Sequence, residues 1–317
     1  MKQTSLDSNQ QERPSALSRL WRILRWMPLI TLLLTIVILL TLFLLGGTQR
    51  INGWFLSQLA LPVLGLIVLM TTITYAIVKR RLSKLWIITS LIALLSLSPA
   101  ILLIKPVAYP ASITSMTPSA AVRLPADGPL IVLWGGDKIE TNYHAKTPDQ
   151  RWAYDLGVAP YLTGSANLED YGCYGIPVVA PASGQVTYAH DGELDMTPGV
   201  ISKNFQAPTG NHVVIQLETG TYLMIAHLKE GSVVVKTGDT VEEGQIIGQC
   251  GNSGNTSEPH IHIHHQRQDP IVYPGDLAEG LPLYFRDHDG APMPIGGIQI
   301  ENDKLIATGD TVQHIGE

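Results

Sequence analysis

The chain has 317 residues, 45% of them hydrophobic and 15% charged, with a formal net charge of -6. That length exceeds the usual single domain and gives material for two units. The negative balance gives no argument for nucleic acid as a partner, and two cysteines, Cys173 and Cys250, are too few for a disulfide framework.

The averages hide two unlike halves. Residues 1–26 form a polar, then Arg-containing N-terminal segment, predicted to be disordered at its start. Arg19, Arg22 and Arg25 lead into an apolar run at 27–45, long enough for about 30 Å of hydrocarbon at about 1.5 Å per residue. It is longer than the ~7–15-residue core of a signal peptide and lacks a small-x-small cleavage site, so it predicts a retained transmembrane helix. Residues 46–58 read as a short connection with Arg50 and the interfacial aromatics Trp54 and Phe55. Further apolar runs at 59–78 and 85–104 predict two more spans, separated by Lys79, Arg80, Arg81 and Lys84. The positive-inside rule puts the Arg-rich front and the Lys79 cluster in the cytoplasm and everything after the third span outside. The expectation is a multi-pass protein of the cytoplasmic (inner) membrane, in contact with lipid through 27–104, with its C-terminal half on the periplasmic or extracellular side. No charged residue interrupts the spans, which argues against a transport pathway.

Residues 105–124 are rich in Pro, Ser, Thr and Ala and read as a linker, with a reach of up to roughly 70 Å at ~3.3–3.6 Å per residue. Beyond it, 125–285 reads as one β domain. Strand candidates fall at 130–134, 151–158, 176–180, 184–189, 212–217 and 221–227, a strand–turn–strand at 233–248, and a short strand at 281–285. No long helical period appears, so the domain is predicted to be mostly antiparallel. Strand alternation over 151–158 puts Arg151 and Asp155 on one face. Residues 286–317 read as a C-terminal extension, either loose or forming an additional edge.

The most informative stretch is 248–265, which ends with His260, His262 and His264 alternating with Ile261 and Ile263. In a strand, every second side chain shares a face and recurs at roughly 6.6 Å, so three imidazoles lie on one side and the isoleucines on the other. Grouped imidazoles suit zinc and also serve as proton carriers near neutral pH. The plainer reading is a solvated edge strand with adventitious metal affinity.

Together, AHLKEGS at 226–232, VKTGDTVEEGQIIGQCGNSGNTSEPHIH at 235–262 and RWAYD at 151–155 resemble the lysostaphin/LytM-type zinc metallopeptidases, over roughly 130–266. The resemblance implies a β-sheet groove of the duplicated-hybrid-motif kind with Zn2+ at its floor, hydrolysing peptidoglycan peptides in cell-wall remodelling. Carried over, it makes His262 and Asp155 zinc ligands and His227 and His260 catalytic residues. The departure is the H-x-x-x-D pattern, because four positions before Asp155 stands Arg151, whose guanidinium has no lone pair for a metal. His144, the nearest upstream histidine, is assigned the missing ligand role, with Asp149 a less favoured substitute. Two histidines and one aspartate leave a fourth position open, as a catalytic zinc requires.

Arg151 also supports a second reading, a membrane-anchored domain without activity that binds peptidoglycan or regulates a partner hydrolase. The presence of His227, His260, His262 and Asp155 weighs against it. Of the remaining histidines, His212 either lines the groove or, as favoured, is a half-exposed strand residue, His264 is expected to stand behind the ligands or against substrate, and His190 receives no assignment. Cys173 and Cys250 either form a bridge that braces the loop before the His strand or remain free thiols.

Overall fold

The computed structural model describes residues 16–199, 206–273 and 275–316. Most of the N-terminal segment expected to be disordered, 1–15, lies outside the described residues. The chain divides into two compact units that meet in sequence between Lys105 and Pro106.

The first unit contains α1 (Ala16–Leu24), α2 (Met27–Leu45), α3 (Gly47–Lys79) and α4 (Lys84–Leu95), the last followed by a 3-10 turn at Ser98–Leu103. Among the described residues, three helical stretches, Arg19–Leu45, Gly47–Lys79 and Lys84–Leu103, are long and apolar enough to cross a membrane. Their outward surfaces carry Leu34, Val37, Leu66, Ile77 and Leu91, a pattern suited to lipid and costly in water. The connection expected at 46–58 is instead helical from Gly47 onward. The break is confined to Gly46 and Gly47, at φ 73° and 60°, a left-handed geometry that glycine adopts without a Cβ clash. A Cβ at Gly65 would stand 2.8 Å from the Ala93 carbonyl oxygen. The α3 and α4 backbones therefore meet through small residues.

The second unit is built on an eight-stranded antiparallel sheet. In chain order the strands of the unit are β1 (Ala120–Val122), β2 (Leu130–Trp134), β3 (Tyr154–Gly157), β4 (Pro177–Val179), β5 (Gly184–His190), β6 (Asn211–Gln216) and β7 (Tyr222–Leu228). They continue with β8 (Thr240–Val241), β9 (Ile246–Gln249), β10 (Ile261–Gln266), β11 (Leu283–Phe285), β12 (Ile298–Glu301), β13 (Lys304–Ala307) and β14 (Thr311–Val312). The main sheet runs β14-β2-β3-β10-β7-β6-β5-β8, and the pairs β4-β9, β12-β13 and β1-β11 stand beside it. Only β1 and β11 pair in parallel among the described strands. The fold class is thus as expected: apolar helices, then a mostly antiparallel β domain.

The period-2 pattern explains the sheet's two faces. Val132, Tyr154, Leu156, Val213, Ile215, Leu223, Ile225, Ile261 and Ile263 are buried on one side in a single core, where each large side chain contributes roughly 1.5–3 kcal/mol by leaving water. Asp155, His262, His264, Ala226, Met224 and His212 alternate with them and take the opposite face. Cys173 and Cys250 are joined in a disulfide, with Cα atoms 5.7 Å apart. It connects the turn before β4 to the residue after β9.

Two expectations are corrected here, and one left open is decided. Residues 105–124 are not a free linker: Tyr109, Met116, Val122 and Leu124 are buried, and β1 pairs with β11. The apolar residues hidden among Pro and Ser dock this stretch on the β unit, so the exposed part ends near Ala108. The 286–317 extension takes the second of its two expected forms, an additional edge, since β14 pairs with β2 at the margin of the main sheet. Finally, the strand expected at 151–158 begins only at Tyr154. Arg151 and Trp152 lie in a turn, so strand alternation does not govern Arg151.

Candidate metal centre and groove

β3 and β10 are antiparallel neighbours with Asp155 opposite His262, which brings two polar side chains together on the open face of the sheet. The Nδ1 of His262 lies 2.8 Å from Asp155 Oδ1. His144 Nε2 reaches the other carboxylate oxygen at 2.9 Å.

His144 arrives through a short 3-10 turn, Tyr143–Lys146. Asn142, fully buried, caps that turn by accepting from the His144 N–H at 3.1 Å. Its amide donates to the carbonyls of Gly136 at 2.9 Å and Ala153 at 3.2 Å, fastening the turn to the entrance of β3. Arg151 points elsewhere. Its Nε donates to the Tyr109 carbonyl at 3.0 Å and its Nη1 to the Asp137 carbonyl at 2.8 Å, while Nη2 pairs with the Asp137 carboxylate at 2.8 Å.

Among the described residues, two groups have ligand atoms all within 4.8 Å of one another: His144, Asp155 and His262, and His227, His260 and His262. The second group reaches the site by different means. His260 directly precedes β10 and donates Nδ1–H to the Glu258 carbonyl at 2.8 Å, with its Nε2 3.5 Å from Asp155 Oδ1. His227 sits where strict alternation along β7 would turn it into the core. The register slips between Asn211 and Val213 of the neighbouring strand, and His227 itself has φ 62°, a costly conformation for a residue with a Cβ. That irregularity re-aims the ring. Its Nδ1–H donates to the Ser253 carbonyl at 2.8 Å, leaving Nε2 for the site.

Proton accounting along β10 tests whether these residues suit a cation. Gln266 donates from Nε2 to the Gln268 carbonyl at 2.6 Å, so its Oε1 faces His264 Nε2 at 2.9 Å. That nitrogen must carry the proton. A neutral His264 then has its lone pair on Nδ1, 3.0 Å from His262 Nε2, which must donate. A neutral His262 is left with a lone pair on Nδ1, directed at a carboxylate oxygen. Burial favours the neutral rings: it pushes His264 down to about 3 and, with Asp155 opposing, lowers His262. Two acceptors face each other at 2.8 Å, and a cation between them satisfies both. The set of two imidazole nitrogens and one carboxylate therefore fits zinc.

Asp155 is suited to its place. Burial opposes its ionisation, but His144 and His260 hold the carboxyl well below the usual range. His227 is held well below an ordinary histidine by burial and by its neighbours His260 and His262. For His260 burial works in the same direction, yet the Asp155 charge outweighs it and the net shift is upward.

Two cavities adjoin the cluster. One of about 630 Å³ extends over the open sheet past Met224, His212, Tyr188 and His190. Another, of about 1020 Å³, is lined by Trp134, Leu162, Tyr171, Glu258, His260 and Leu305. Tyr143 and Asn255 line both, so the cluster lies between two arms of one groove.

Several residues differ from their sequence expectation. His212 is buried on the groove floor and donates Nδ1–H to the Gly210 carbonyl at 2.7 Å, so it is not a half-exposed strand residue. Asp149 accepts the Asp276 N–H at 3.2 Å and stays outside both ligand groups. His190, unassigned, ends β5 near Glu193. Tyr143 was missed. Burial and hydrogen bonding to Asp155 push its phenol up, and the only sequence signal was its place beside His144. Asn142 and Gln266 carried no motif at all.

Residues 169–274 match the model of peptidase family M23. The chain carries an M23 peptidase domain. The match begins downstream of His144 and Asp155 and includes His227, His260 and His262. Over 127 residues the chain is 28% identical to the peptidoglycan DD-endopeptidase ShyA of Vibrio cholerae, covering 40% of this chain and 28% of that protein. Over 85 residues it is 32% identical to an uncharacterized metalloprotease of Buchnera aphidicola, covering 26% of this chain and 22% of the relative. The chain thus spans about a quarter of the length of these curated relatives. The catalytic domain of lysostaphin from Staphylococcus simulans is 25% identical with a TM-score of 0.25, over 38% of this chain and 76% of that one. The matched residues lie within the β unit.

Proposed function

We propose that the protein is a membrane-anchored zinc metalloendopeptidase that hydrolyses peptide bonds of peptidoglycan. The observation that carries this reading is the convergence of His144, Asp155 and His262 on one point, flanked by two further histidines whose Nδ1 atoms are tied to main-chain carbonyls. His144, Asp155 and His262 would hold the ion. What a bound zinc supplies is Lewis acidity, which polarises the scissile carbonyl and brings the pKa of water toward ~7. Neutral His227 presents the Nε2 lone pair that accepts the proton of the attacking water. His260, which holds a proton more readily, donates from Nε2 to the oxygen on which charge develops. Tyr143 and Asn255, which line both arms of the groove, would face the bound peptide.

The three apolar helices serve as the anchor. With the basic front and the Lys79 to Lys84 segment in the cytoplasm, the M23 domain lies on the side where peptidoglycan is found.

The test is zinc content and peptidoglycan turnover measured on the same preparations. The wild type is expected to hold one zinc per chain and to release cross-link fragments. His227→Ala keeps zinc and loses at least 100-fold in turnover, while His144→Ala and His262→Ala lose both. Arg151→Ala keeps zinc. Full activity in His227→Ala, or zinc lost with Arg151 and not with His144, sinks the assignment.

A further inference from the structure

The wider arm of the groove contains a buried acceptor that the proposed reaction leaves unused. Glu258 is 8% exposed and lines the cavity of about 1020 Å³ two positions before His260. One side of its carboxyl is engaged by the Leu162 N–H, and Leu162 is held at φ 51°, a left-handed conformation unfavourable for leucine. Its Oε1 is buried and has no hydrogen-bond partner among the described residues. Leaving such an oxygen unmet costs about 1–3 kcal/mol, more when it is charged.

The main chain of the same residue does a separate task. The Glu258 carbonyl accepts from His260 Nδ1–H at 2.8 Å and from the Thr256 hydroxyl at 3.0 Å. A group bound by the Glu258 side chain is therefore fixed in register with His260. The arm's other carboxylates are Asp155 and Asp303, and its basic lining residues among those described are His260 and Lys304. Burial pushes the Glu258 carboxyl up, against the pull of the His260 charge and the Leu162 N–H; in its ionised form it only accepts, and it selects a cationic donor over an anion.

We propose that Glu258 is a specificity-determining carboxylate that takes a primary ammonium group of the peptide substrate in the wider arm of the groove. This rests on the peptidase reading of the site and adds a substrate feature to it. The bound amine sets which peptide bond is presented to His227 and His260, so peptides whose amine is capped dock without that register.

The experiment uses the full chain in detergent, loaded with zinc and carrying His227→Ala so that ligands persist. The probe is a cross-linked stem-peptide dimer with its amine free, methylated with charge retained, or acetylated. Calorimetry is expected to give at least tenfold tighter binding of the free and methylated forms than of the acetylated one. With Glu258→Gln added, the three forms bind alike while zinc content and melting temperature hold. Equal binding of all forms by the chain with Glu258 intact overturns the proposal, without recourse to any variant. So does a preference that survives Glu258→Gln, or binding of none of the three. Turnover by the wild type is measured in parallel. Amine-selective binding without any cleavage sinks the peptidase reading and keeps Glu258; cleavage of free and acetylated forms at equal rates does the reverse.

Discussion

Arg151 stands where the H-x-x-x-D pattern calls for a ligand, and its guanidinium is committed to Tyr109 and Asp137. A turn, not a strand, carries it, so its spacing from Asp155 does not translate into a shared face. His144 instead reaches Asp155 from a separate 3-10 turn because Asn142 locks that turn to β3. Asp149, the other acidic candidate, has a different consequence. Burial and the neighbouring Asp276 charge push its carboxyl up to about 7, from an ordinary 3.8. The folded chain thus holds this proton more tightly than the unfolded one. The associated stability is complete below about pH 4 and is lost as pH rises toward 7. Asp149→Asn removes that loss. Denaturant unfolding at constant zinc is expected to show the variant gaining on the order of 2–3 kcal/mol more at pH 8 than at pH 5. An equal effect at both pH values contradicts the shift.

At the scale of elements, the site depends on departures from regularity. β10 alternates cleanly and delivers His262 and His264 to the open face. β7 must slip its register against β6 before His227 can join them. The loop between β9 and β10 then supplies the carbonyls of Ser253 and Glu258 that orient both flanking rings. The Cys173–Cys250 disulfide fixes the start of that loop across a separation of 77 residues. By loop-closure entropy its removal costs about 4 kcal/mol. Cys173→Ala with Cys250→Ala, or reduction of the wild type, is expected to lower unfolding stability by a comparable amount. A change below about 1 kcal/mol in both would show that the bridge constrains little.

For the whole molecule, the packing of residues 106–124 on the β unit changes where the soluble part begins. Tyr109, Met116, Val122 and Leu124 are buried, and at roughly 1.5–3 kcal/mol per large side chain their loss approaches the ~5–15 kcal/mol stability of a domain. A fragment starting at Pro106 is expected to melt cooperatively. One starting at Pro125 should melt at least 10 °C lower or fail to fold, since it also removes the Tyr109 carbonyl that holds Arg151. Equal melting temperatures would restore the linker reading. With this stretch docked, the roughly 70 Å reach of a free linker is not available, and the exposed connection is a few residues after Leu103.

Local pattern alone determined a good deal. Three apolar runs and their flanking charges gave the helices, short apolar runs bounded by turn residues gave β2, β5, β6 and β7, and period-2 alternation gave β10 and the shared face of His262 and His264. Those signals are legible because side-chain periodicity and burial are tied to neighbours within a few residues. Tertiary structure decided what depends on distant partners. The docking of 106–124 needed β11, the approach of His144 needed Asn142 bonded to Ala153, and the re-aiming of His227 needed the slip against β6. The Cys173–Cys250 bridge and the orphaned oxygen of Glu258 belong to the same class. Each is set by which segments the folded sheet brings together, and separation along the chain holds no record of it.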